Sequence, residues 1–164
     1  MNSTRSFRGF LIATMIPIAL SPACRGDDKP KITVKVVAVL ATSINKVVDE
    51  KLKCLATEVQ KKEPTLTGFQ LKTCSCTKLS VGEKFKFPLV DDEVAEVSIQ
   101  KGPGKNDWIG LTIKPPLAGK IVYESCCEKY FPIITGYQTK NGERLIIAVM
   151  VHCCCDKEKN PIKK

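Results

Sequence analysis

Cysteine supplies most of the chemistry open to this chain. Nine cysteines stand in 164 residues: Cys24, Cys54, the Cys74-Ser75-Cys76 pair, Cys126-Cys127, and the run Cys153-Cys154-Cys155 directly behind His152, the sole histidine. A structural zinc site usually spaces its cysteines two to four residues apart, because a turn must swing both sulfurs toward one ion. Here the pairs are adjacent or separated by one residue. Neighbouring residues of a strand face opposite ways, so Cys153 and Cys155 share a face while Cys154 looks away. That geometry suits cross-links to different neighbours. The alternative is a soft thiolate site for Cu(I) or zinc built from Cys74, Cys76, His152, Cys153 and Cys155.

The first residues choose between these readings. Arg5 and Arg8 precede an apolar run from Phe10 to Leu20, and Ser21-Pro22-Ala23 offers the small residues a signal peptidase accepts. The run is about half the roughly 20 apolar residues that a membrane span needs. Residues 1–23 therefore read as a signal peptide, and the protein as exported to the periplasm, the outer cell envelope or the medium. Thiols oxidise there, so Cys54, Cys74, Cys76, Cys126, Cys127, Cys153, Cys154 and Cys155 are expected in disulfides. Cys24 follows the cleavage point, where a lipoprotein carries its acylated cysteine. The preceding residues match a lipobox only in part, with Leu20 one place too far upstream and Pro22 unusual at its position. Lipid on Cys24 leaves eight cysteines to pair; without it one of nine is odd.

No residue pattern points to catalysis. A redox enzyme would place Cys-x-x-Cys at a helix start, and the chain has none. His152 would have to serve as the base of any nucleophilic arrangement, yet no nucleophile motif accompanies it. Asp91-Asp92-Glu93 reads as a solvated turn, and Gly102-Pro103-Gly104 is too short to cradle phosphate. Trp108, Tyr123, Tyr130 and Tyr137 fit buried or rim positions in a β domain. No cofactor is called for.

Removing residues 1–23 leaves 24 basic residues against 17 acidic ones, a charge of +7. That favours an anionic envelope component or the acidic face of another protein, against the plain alternative of a solvated basic surface. Nucleic acid fits the charge but not the compartment, and the lysines are not gathered into a stripe with aromatics. Membrane association is expected only through lipid on Cys24.

The elements that would position these residues are legible from periodicity. After a polar tether over residues 24–31, Ile32 to Leu40 is rich in β-branched residues and reads as a buried strand. Asp49 is placed to cap a helix running to about Glu63, whose Val48, Leu52, Leu55 and Val59 share one face, with Cys54 outside that stripe. Short strands follow around Phe69–Leu71, Phe85–Leu89, a hairpin over 94–114, Ile121–Cys127 and Phe131–Thr139. Glu143 to Cys155, apolar on both faces, reads as a central strand. Residues 32–155 therefore form one α+β domain, mainly antiparallel β with about seven or eight strands in a sandwich-like arrangement and one amphipathic helix after the first strand. Residues 156–164 are a charged tail.

Five segments in this order carry a resemblance: Val39-Leu40-Ala41, Asp49 to Leu52, Leu66 to Leu71, Val81-Gly82-Glu83 with Phe87 to Val90, and Gly142 to Val149. Together they resemble small exported bacterial domains of uncharacterised function that open strand–helix–strand and continue as a β meander. The resemblance spans roughly residues 32–152 and implies architecture alone. It brings no catalytic residue, and the cysteine clusters lie outside it.

Overall fold

Alternation along the first strand shows how the domain is layered around its cores. In β1 (Ile32–Thr42), Val34, Val36, Ala38 and Leu40 enter one buried cluster, while Val37, Val39 and Ala41 enter another on the opposite face. Successive strand side chains point to opposite faces, so a strand apolar at every position must be covered on both. The computed structural model describes residues 31–103, 108–126 and 128–153, and of Cys153 the backbone only. Cys24, Cys127, Cys154, Cys155 and the expected signal peptide, tether and tail lie outside these residues.

Eight strands and one short helix make up the described chain: β1, α1 (Lys53–Gln60), β2 (Gly68–Leu79), β3 (Lys84–Pro88), β4 (Val94–Lys101), β5 (Trp108–Lys114), β6 (Ile121–Cys126), β7 (Phe131–Gln138) and β8 (Arg144–Cys153). They form two four-stranded sheets, ordered β2-β1-β8-β7 (sheet A) and β3-β4-β5-β6 (sheet B). Every strand pair is antiparallel. The fold is thus mainly antiparallel β with a short helix, as expected. β8 lies between β1 and β7; its Leu145, Ile147, Val149 and Val151 join the first cluster, and Ile146 and Ala148 the second. The first cluster also takes Phe87, Ala95, Val97, Ile99, Ile109, Leu111 and Ile113, so it draws side chains from both sheets.

The helix differs from the expected one. It runs over eight residues only, and a loop plus a 3-10 turn at Glu50–Leu52 separate it from β1. Asp49 makes no side-chain cap hydrogen bond. Its carboxylate Oδ2 instead accepts from the Leu71 backbone N–H at 2.7 Å, while its own N–H donates to the Phe69 carbonyl at 3.0 Å. That ties the helix entrance to β2. The far end is held by Arg144, whose guanidinium meets the Glu63 carboxylate at 3.2 Å. An isolated helix this short is unstable in water. It persists because Leu52, Leu55, Ala56 and Val59 are buried against Val37, Val39, Ile146 and Ala148 of sheet A.

β2 also departs from expectation, running to Leu79 where only Phe69 to Leu71 alternates clearly. Thr73, Ser75 and Thr77 face one way, half-buried, and Cys74, Cys76 and Lys78 the other, exposed. Both faces of this edge strand are polar, so the period of two leaves no hydropathy signal. The Cys74–Cys76 pair accordingly sits in the body of a strand, not at a strand end.

Candidate functional site

Helix α1 is too short to cover all of sheet A's outer face. It shields the half around Val37, Val39 and Ile146. The pairing register lays out the remainder in two rows, Cys76–Lys35–Met150 and Lys78–Thr33–His152, with Cys74 at the edge of the shielded Val37–Ala148 row. Where the helix ends and the open face begins lies a cavity of about 460 Å³. Val37, Leu71, Leu52 and Leu55 give it an apolar floor and wall, Cys54 and Cys74 look into it from helix and strand, and Lys35, Lys51 and Tyr130 stand around it. None of these lining residues is acidic.

Lys35 is the fixed charge of this site. It projects from the half-buried middle of β1 with its Nζ 5.8 Å from the centre of the Tyr130 ring. A hydrogen bond to Tyr130 raises its pKa above the ordinary lysine value. The nearby Cys74 and Cys76 sulfurs push the same way, and partial burial only partly opposes them. The ammonium therefore stays charged at any physiological pH.

The cysteines overturn the disulfide expectation. Cys54, Cys74, Cys76 and Cys126 are all free thiols, so the chain described here is not a disulfide-stapled domain. The cause is placement. Cys74 and Cys76 are two residues apart on one strand face, about 6.6 Å along the strand, with side chains that run parallel and do not converge. Cys126 ends β6 on sheet B and is likewise free. Oxidising surroundings favour disulfides only where geometry brings two sulfurs together.

The metal candidates are only partly assembled. Cys74, Cys76 and His152 do share the outer face of sheet A, but β1 lies between β2 and β8. Two interstrand spacings, about 10 Å, separate the cysteines from the histidine. His152 is half-exposed, and its Nδ1 meets the Glu128 carboxylate at 3.3 Å. Cys153 pairs with Ile32 one position further along β8. Among the described residues, no group of three or more His, Cys, Asp or Glu is placed to hold a metal ion.

Two further openings are more polar. One, of about 600 Å³, lies between β2 and the β7–β8 hairpin, where Lys72 and Lys140 alternate with Asp91 and Glu143. Asp91 and Asp92 both adopt left-handed backbone (φ 50 and 63), which aspartate tolerates better than most residues. The turn that the Asp91–Glu93 run suggested is therefore a tight one, and Asp91 accepts a hydrogen bond from the Tyr137 hydroxyl at 2.9 Å. That bond, and the negative charge behind it, raise the Tyr137 pKa above its usual value. The stability supplied by this contact is present below the usual tyrosine pKa of about 10 and lost as pH rises through the raised one. An ultraviolet absorbance titration of the Asp91→Asn variant should show one tyrosine ionising earlier than in the wild type; superimposable curves would refute the contact.

The remaining aromatics are structural or peripheral. Tyr123 stacks on Phe131 with ring centres 3.8 Å apart, and Trp108 is half-exposed at the start of β5. The pocket-lining role of Cys54 was hidden in the sequence, because lying outside the helix's apolar stripe suggested solvent. It borders a cavity because the helix stops short of covering the sheet. Among the described residues no helix is long and apolar enough to cross a membrane.

The chain matches no protein-family model, no curated protein and no solved structure.

Proposed function

We propose that this protein is an exported, non-catalytic module of the cell envelope that binds an anionic envelope component through the open half of sheet A's outer face. On this reading the two sheets stack as a sandwich-like core, with α1 over part of the face that sheet B does not meet. The observation that carries the proposal is the unshielded row structure: Lys35 and Lys51 border an apolar cavity whose lining holds no carboxylate, and Lys78 lies further along the same open face. Lysines beside a low-dielectric apolar surface attract anions more strongly than lysines scattered in water. The basic excess of the whole chain supports the same sign of partner.

Sedimentation with phosphatidylcholine vesicles, with and without phosphatidylglycerol, tests this reading. Binding should require the anionic lipid and weaken steeply as salt shortens the Debye length to about 8 Å at physiological ionic strength and below that at higher salt. Equal binding to neutral vesicles, or none to either, would contradict it. Export itself is tested by cell fractionation, with the protein expected outside the cytoplasm.

A further inference from the structure

We infer that the cavity between α1 and sheet A is a binding site for a single-chain anionic amphiphile, such as a long-chain carboxylate, with its acyl chain on the apolar floor and its headgroup at Lys35 and Lys51. This rests on the binding-module reading above and names the ligand class for the same face.

Three features of the cavity point to this class. Its volume of about 460 Å³ lies within the roughly 300–1,000 Å³ typical of small-molecule sites. Its floor is made by Val37, Leu52, Leu55 and Leu71, none of which offers a side-chain hydrogen bond, so a polar ligand such as a sugar would leave its hydroxyls unpaired there. Its charged groups are two cations and no anion, arranged so that Lys35 is anchored at Tyr130 on one side and Lys51 stands on the 3-10 turn on the other. A headgroup between them keeps its charge paired while the chain leaves water. A short anion would gain the ion pairs but leave the floor wet; a neutral hydrocarbon would fill the floor and leave the lysines unused.

The two thiols in the lining make the site observable. Cys54 and Cys74 border the cavity, whereas Cys76 lies one row further along the open face and Cys126 lies on sheet B; all four are free. Maleimide labelling of the reduced full chain, resolved by peptide mass mapping, should show dodecanoate slowing modification of Cys54 and Cys74 while Cys126 reacts as before. Titration with octanoate, decanoate and dodecanoate should tighten binding about threefold to fourfold per added methylene. Lys51→Glu, on an exposed turn, should weaken dodecanoate binding about fivefold to tenfold.

Affinity independent of chain length would overturn the inference, as would equal protection of all four cysteines or none. The vesicle assay separates the two claims. Anionic vesicle binding without cysteine protection refutes the amphiphile site and leaves the binding module standing. Loss of both refutes both.

Discussion

Phe87→Ala is expected to destabilise the domain by about 3–5 kcal/mol, a large share of the roughly 5–15 kcal/mol that holds an ordinary domain folded. Phe87 is fully buried, and it is the one phenylalanine that β3 sends into the core shared by both sheets. It faces Ala95 across the β3–β4 ladder, and the small alanine leaves the room that the ring fills. Its ring also meets Phe85 edge-on, with centres 4.9 Å apart, a geometry worth about 0.5–1.5 kcal/mol beyond area burial. Because β3 is an edge strand paired with β4 alone, loss of its anchor should loosen the whole strand. Urea denaturation followed by far-ultraviolet circular dichroism measures the cost. A shift corresponding to less than about 1 kcal/mol would mean that Phe87 does not hold the sheets together.

Val59→Asp tests the other core. Val59 is 1 % exposed, in the last turn of α1 among Ala148, Ile146 and the other apolar side chains of that cluster. An aspartate there must bury an unpaired carboxylate or lift the helix off the sheet. The expected cost is more than about 3 kcal/mol for docking of the helix. Eight residues of helix do not hold together alone, so residues 53–63 should unwind while the shared core of β4, β5 and β8 stays folded. Amide hydrogen exchange should show rapid exchange confined to the helix, with β4 and β5 still protected. Unchanged protection of the helix would refute its dependence on this contact. Global unfolding would show that the two cores fold as one unit.

The strands that build the shared core were legible in the sequence because burial dictates their composition. β1 and β8 are mostly apolar, and both prove to be central strands, buried on both faces over Val36 to Ala41 and Leu145 to Val149. Lys84 to Leu89 alternates cleanly, and Phe87 points inward as that alternation requires. The sheet order was not legible, since β1 pairs with β8 from the far end of the domain and no local turn encodes that contact. The far half of β2 was missed because Thr73 to Lys78 is polar on both faces of an edge strand. Asp49 had the residue type and position of a helix cap, yet the neighbouring β2 backbone competes successfully for its carboxylate.

The candidate site was the least legible part. Its residues come from β1, the turn before α1, α1 itself, β2 and the segment before β7, so no spacing along the chain gathers them. Thr33 and Lys35 interrupt an apolar strand, a local sign that this end of the strand is left uncovered. The cysteines misled in the opposite direction. Their number and the expected compartment argued for cross-links, whereas strand direction keeps the sulfurs of Cys74 and Cys76 apart and Cys126 lies on the other sheet.

The central claim is that anion binding belongs to one face of the molecule, and a matched pair of charge reversals tests it most directly. One variant replaces Lys35, Lys51 and Lys78 by glutamate around the open half of sheet A; the other replaces Lys84, Lys86 and Lys101 on sheet B, with the same change in net charge. Each lysine near an anionic surface contributes about 1 kcal/mol, so the sheet A variant should bind phosphatidylglycerol vesicles at least about a hundredfold more weakly than wild type. The sheet B variant should lose far less. Equal losses in the two folded variants would show that net charge alone governs binding, and would contradict the account.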